Sequence, residues 1–81
     1  MKITVKVKKK EERNVFITTE NIPLDKALKF SGIAGTGGQA KMLIQDGLVK
    51  ANGEICVSRG KKLTENDSFE FQNVIYNIRR K

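Results

Sequence analysis

Residues 36–47 read TGGQAKMLIQDG, and this stretch holds a whole short helix with both of its ends written in. Thr36 suits the N-cap, because its hydroxyl can accept a bond from a helix N–H that has no partner inside the helix. Gln39, three residues on, completes a Thr-x-x-Gln capping box. Gly47 predicts the stop, since glycine takes the left-handed conformation without a Cβ penalty. Between these ends Ala40, Leu43 and Ile44 share one side at helical spacing, while Gly38, Lys41 and Gln45 share the other. The helix therefore buries one stripe, and opens to solvent on two glycines and a lysine.

Moving toward the N-terminus, a similar pattern runs from Leu24 to Ser31. Pro23 suits a first helical position because its ring fixes φ, and Asp25 suits the positive end of the helix dipole. Leu24, Ala27, Leu28 and Ser31 form the inner stripe. Lys26 and Lys29 lie outside it, Phe30 sits on the flank, and the helix is expected to end near Gly32. Only a short linker, Ile33 to Gly35, precedes Thr36, so the two helices are expected to lie close together at a steep angle. Further upstream, residues 2–8 alternate strictly, with Ile3, Val5 and Val7 facing away from Lys2, Thr4, Lys6 and Lys8, the pattern of a half-buried strand. Lys8 to Arg13 predicts a charged turn. Asn14 to Thr19 predicts a second strand with Val15 and Ile17 inward, set to pair with the first as a hairpin.

Downstream of Gly47 the period changes to two. Leu48–Ala51 and Glu54–Val57 flank Asn52-Gly53, a strong hairpin signal because both turn residues tolerate positive φ. A strict two-residue turn sets Lys50 against Ile55 and Val49 against Cys56. Neither face is then cleanly apolar, which argues against that register. A basic loop follows (Arg59, Gly60, Lys61, Lys62), then an isolated Leu63 and a turn at Glu65–Asp67. Phe69 and Phe71 alternate with Ser68 and Glu70 as a strand, and Val74–Ile78 reads as another. The order is strand, strand, helix, helix, then three or four strands. That is an α+β fold: two short helices packed on a small, mostly antiparallel sheet, with an extra N-terminal strand or hairpin.

Composition narrows the function. The chain of 81 residues is expected to be one domain, and at this size only about 60% of the unfolded surface is buried. Sixteen Lys and Arg against nine Asp and Glu give a net charge of +7, a bias toward polyanions. No apolar run approaches the ~20 residues of a membrane span. The N-terminal MKITVKVKKK lacks the continuous apolar stretch of a signal peptide. With one cysteine, Cys56, and no histidine, the chain has no internal disulfide to form, and a reducing cytoplasm is the expected setting. The same count removes any Cys-His or Ser-His catalytic pair and makes a transition-metal site improbable. Cys56 sits in the apolar stretch EICV and reads as a small core residue. No enzyme and no cofactor are expected.

At TGGQAK followed by a glycine and LVKANGE, the sequence resembles the alpha-L RNA-binding motif of the ribosomal protein S-four type. The motif's elements correspond here to LDKALKFSG, TGGQAKMLIQDG, LVKANGE and, more weakly, NDSFEF, over about residues 22–71. Within that superfamily the chain looks most like short stand-alone bacterial proteins of the YaaA/YbcJ type, on the combination LKFSG, TGGQAK, NGE and RGKKL. It departs from the pattern at Pro23, at Ser58 where a second arginine is usual, and at Asn66 where a glycine is usual. The second departure removes one cation from the expected RNA face. The resemblance implies RNA binding without catalysis.

The candidate interface follows from both lines. On the residues alone, the amides of Gly37, Gly38 and Gln39, beside Thr36, make an anion site, or the glycines merely make a tight turn; the two readings stand level. The resemblance favours the phosphate site, with Lys41 one turn on adding a charge-assisted contact. Arg59, Lys61 and Lys62, with Lys50 on the preceding hairpin, join Lys41 in one patch if that hairpin folds back beside the helix. Lys29 and Lys26 extend it. Lys8–Lys10, Arg13 and Arg79–Lys81 form basic ends of the kind that often fray and only aid solubility. Phe69 and Phe71 alternate as core residues do, and the sequence offers no evident stacking platform. Shape and phosphate reading of folded RNA is therefore expected. The expected partner is structured RNA, ribosomal or transfer-RNA-like, with the ribosome among the candidates, bound by a monomer with no membrane involved. The alternatives are a DNA-associated replication or repair accessory factor, and a protein-docking adaptor using Met42 and Phe30.

Overall fold

A computed structural model describes residues 10–81. The expected strand over residues 2–8, its hairpin partnership, and Lys8 and Lys9 lie outside the described residues. Two helices pack on a mixed sheet, and one core joins the layers.

The first element is not the expected charged turn. Strand β1 runs Glu11–Ile17, three residues ahead of the predicted start. Only Val15 and Ile17 of β1 are buried, so Glu11, Glu12 and Arg13 sit on the strand without desolvating their charges. Its ladder partner is β7 (Val74–Arg80), and the two run parallel, from Glu11 opposite Val74 to Ile17 opposite Arg80. Nothing local announces this pairing. It is driven by Val15 meeting the buried Ile78 across the ladder.

Two short strands frame the helices. β2 (Asn21–Pro23) pairs antiparallel with β5 (Lys62–Thr64), placing Ile22 opposite Leu63. Leu63, isolated in sequence, is fully buried. Helix α1 spans Leu24–Phe30, so Pro23 stands one position earlier than expected, as an extended N-cap at φ −63° and ψ 147° that also ends β2. Leu24, Ala27 and Leu28 are buried as the stripe requires. The helix closes with Gly32 at φ +83°, where the amides of Gly32 and Ile33 donate to the carbonyls of Lys29 and Leu28. Helix α2 spans Gly37–Gln45 and closes the same way: Gly47 at φ +74° donates to Ile44 and Leu48 donates to Leu43. This is the Schellman pattern, which spends two carbonyls that the helix leaves unpaired. Ala27 on α1, Ala40 on α2 and Ala34 in the linker between them are all buried.

The main sheet has the order β1-β7-β6-β3-β4, with β3 at Val49–Ala51, β4 at Glu54–Ile55 and β6 at Ser68–Phe71. The Asn52-Gly53 turn does adopt the strict two-residue register, Lys50 opposite Ile55, and Cys56 donates its amide to Val49. The argument from mixed faces fails because β4 is a two-residue edge strand: Ile55 is left 64% exposed, while Val49 and Ala51 carry the burial. A second two-residue turn, Gln72-Asn73, joins β6 to β7 with both residues at positive φ (49° and 65°) and no glycine. Phe69 is 1% exposed and stacks on Tyr76, its cross-strand partner, at 4.8 Å and 8°.

Candidate nucleic-acid interface

Each helix begins with amides that the helix itself cannot pair, and the two helices treat them differently. At the start of α1 Pro23 offers no side-chain cap, and the loop ahead of β5 supplies the acceptors instead. Leu24 donates to the carbonyl of Lys61 at 2.8 Å and Asp25 to that of Arg59 at 3.2 Å. Lys26 donates to the Asp25 carboxylate at 2.8 Å. That helix start is closed.

The start of α2 is half open. The Thr36 hydroxyl accepts from the Gln39 amide at 3.1 Å, as its N-cap position predicts. The Gln39 amide is therefore spent, which corrects the expectation that it faces outward. The other half of the capping box is also displaced by one residue: Gln39 Oε1 accepts from Gly35 at 2.8 Å, not from Thr36. The amides of Gly37 and Gly38 have no protein acceptor among the described residues. Both glycines are exposed, neither has positive φ, and the first turn holds no acidic residue. A Cβ added at Gly37 would meet nothing within 4 Å, and one at Gly38 would meet only Thr36 Oγ1 at 3.9 Å. No turn and no close packing calls for glycine at either position.

The cations divide into groups. Arg59 and Lys61 are tied through their own carbonyls to the start of α1, and Lys62 pairs across the small sheet with Pro23. All three side chains are exposed. Lys29 lies exposed in the last turn of α1, and Lys41 exposed on α2. Lys50 stands between Ile55 and Glu70 in the sheet register. The β3–β4 hairpin does reach the far end of α2, where a Cβ on Gly47 would lie 3.7 Å from Ile55 Cγ2. Among the described residues, no hydrogen bond or ion pair joins the α2 start to the basic loop; what links them is α1, which packs on α2 and receives the loop at its own start. The described ion pairs are Lys10–Glu70 at 3.0 Å and Arg13–Glu11 at 3.0 Å, so Lys29, Lys41, Lys50, Arg59, Lys61 and Lys62 are in none of the described ion pairs. The C-terminal cations are not frayed: Arg79 and Arg80 belong to β7, and the Lys81 amide donates to Ile17 at 3.0 Å.

One surface network steadies the hairpin. Asp67 accepts from the Thr64 amide (2.8 Å), the Thr64 hydroxyl (3.1 Å) and Asn52 Nδ2 (3.3 Å), while Asn52 Oδ1 accepts from the Ser68 amide (2.9 Å). The Thr64 backbone bond above all, against some desolvation and with help from the Thr64 hydroxyl, Asn52 and the Lys61 charge, holds the Asp67 carboxyl below its ordinary value. The turn that carries Asn66 and Asp67 thus locks the Asn52-Gly53 hairpin and brings Lys61 within electrostatic reach.

Sequence reasoning missed Phe16 as an exposed aromatic. The signal was present, because Phe16 is out of phase with the buried Val15 and Ile17. Phe16 is 48% exposed and Phe30 64% exposed.

Among curated proteins nothing matches this sequence. The crystal structure of the 30S ribosomal protein S4e from Thermoplasma acidophilum shares the fold, with a TM-score of 0.55 at 19% identity. The match covers 74% of this chain and 32% of that one, so this chain spans about a third of the length of that protein. The family model for the S4 domain matches residues 15–79, from the buried end of β1 to the end of β7 and across both helices. The chain belongs to the S4 domain family.

Proposed function

We propose that this chain is a non-catalytic RNA-binding module that recognises structured RNA, ribosomal or transfer-RNA-like, through phosphate-backbone and shape contacts. It acts as a monomer in a reducing cytoplasm. The observation that carries the reading is the contrast between the two helix starts: one is closed by the basic loop, and the other keeps two glycine amides unpaired in open space. Oriented amides and the helix dipole favour an anion at such an end. Lys41 adds charge one turn on. Arg59, Lys61 and Lys62 grip the neighbouring backbone, with Lys50 and Lys29 at the margins. Membership of the S4 domain family supports RNA as the polyanion.

The test is binding to a folded RNA hairpin across a salt series. Each phosphate neutralised contributes roughly 0.9 to the slope of log K against log salt. The double variant Lys41→Glu, Arg59→Glu should lower affinity for RNAs of unrelated sequence alike and reduce that slope by about two. Unchanged binding by this variant would mean that the face is misplaced. Stronger retention of duplex DNA than of duplex RNA at one salt concentration would favour the DNA-associated alternative.

A further inference from the structure

A second surface lies away from the α2 start, where the end of α1 lies beside β1, the outermost strand of the sheet among the described residues. Two adjoining concavities, of about 380 Å³ and about 310 Å³, share Phe16, Phe30 and Lys81 as lining residues. Arg13 and Asn14 line the larger one, and no Asp or Glu is among the described residues lining either. The lip is fixed in place, since the Lys81 amide donates to Ile17 of β1. Among the described residues Arg13 pairs with the solvent-exposed Glu11, a pairing weak enough in water to be exchanged for a phosphate. Two exposed phenyl side chains, cationic side chains on the rim and no Asp or Glu in the described lining make a poor site for an acidic or purely apolar partner. They suit a flat heterocycle carrying a phosphate on its backbone, because base stacking on aromatic rings uses the ring faces and leaves the charge at the edge. Phe30 lies in the same last turn as Lys29, six positions before Thr36, so one RNA can meet this groove and the α2 start together.

We propose that the groove between β1 and the end of α1 receives one unstacked base of the bound RNA, with Phe16 and Phe30 as its stacking surfaces and Arg13 and Lys81 toward the adjoining phosphates. The proposal rests on the RNA-binding reading and adds a specificity to it: a helix with a bulged or flipped nucleotide is chosen over a continuous one.

The experiment uses the full chain and two RNA hairpins identical but for a single unpaired 2-aminopurine nucleotide in one of them. The bulged hairpin should bind about tenfold more tightly, within the range measured for one stacked base, and its 2-aminopurine emission should be quenched on binding. Phe30→Ala and Phe16→Ala should each cut that preference severalfold while leaving affinity for the paired hairpin unchanged. Phe30→Trp should restore it. Equal affinity of the two hairpins for the wild-type chain, with paired binding intact, overturns the groove proposal alone; failure of both hairpins to bind overturns the RNA-binding reading with it. A fall in sedimentation mass on Phe30→Ala would assign the groove to a second copy of the chain. A marked fall in melting temperature in that variant would assign Phe30 to packing within the fold. Either result overturns the proposal.

Discussion

Replacing Gly37 and Gly38 by alanine separates what folding asks of these positions from what binding asks. Both residues have ordinary helical backbone, and a methyl group at either finds open space or ordinary contact. Alanine at a compatible glycine position stabilises a protein by about 0.4–1 kcal/mol, mainly by removing freedom from the unfolded chain. The pair Gly37→Ala, Gly38→Ala should therefore add about 1–2 kcal/mol. In a domain of this size that raises the melting temperature by roughly 4–16 °C. Helical Cβ atoms tilt toward the helix N-terminus, so the same methyl groups project into the space an anion would occupy. Holding a phosphate off one amide forfeits about 1.5–3 kcal/mol of charge-assisted hydrogen bonding, roughly a tenfold to hundredfold rise in Kd. The assay pairs thermal melts followed by circular dichroism with anisotropy titrations of a folded RNA hairpin. A variant that melts higher and binds worse is the expected result. A higher melt with unchanged binding refutes the phosphate site, and a lower melt refutes the claim that folding does not need these glycines.

Two further outcomes concern the scaffold. Asp67 has a lowered pKa in the folded state, so it stabilises the fold above its ordinary value of 3.8, and that contribution is lost as pH falls through the folded-state value below 3.8. Urea denaturation from neutral to acid pH should show wild-type stability falling more steeply at the acid end than that of Asp67→Asn; parallel curves would deny the carboxylate its role. Leu28→Ala empties a site that is fully buried between α1 and the rest of the core, and should cost about 2–5 kcal/mol in a denaturation midpoint assay. A loss below 1 kcal/mol would mean that the site collapses freely.

The parts legible in the sequence are those fixed by short-range chemistry. The bounds of α2 followed from Thr36 and Gly47, because capping acts across three or four residues. The inner stripe of α1 followed from the spacing of Leu24, Ala27 and Leu28. The Asn52-Gly53 turn was equally plain, and doubt about its register came from judging faces without knowing that β4 would be a two-residue edge. What the sequence hid depends on partners far away in the chain. Leu63 looked isolated because its neighbour is Ile22, and Glu11–Arg13 looked like a turn because their partners are Val74–Tyr76. At the candidate interface the sequence identified the open helix start, but not that the basic loop spends its carbonyls on the other helix, nor that Gln39 reaches Gly35. Phe30 stood on the flank of its helix already in the sequence, whereas Phe16 was passed over although its place between Val15 and Ile17 turns it to the opposite face.

The parallel pairing of β1 with β7 sets how the chain bears a load. A pull applied ahead of Glu11 and beyond Arg80 acts in opposite directions along two strands that run the same way. The ladder from Glu11–Val74 to Ile17–Arg80 is then loaded in shear, so its bonds must fail together rather than peel one after another as they would between antiparallel neighbours held at a turn. Traction on the two flanks of this domain thus meets its strongest direction first.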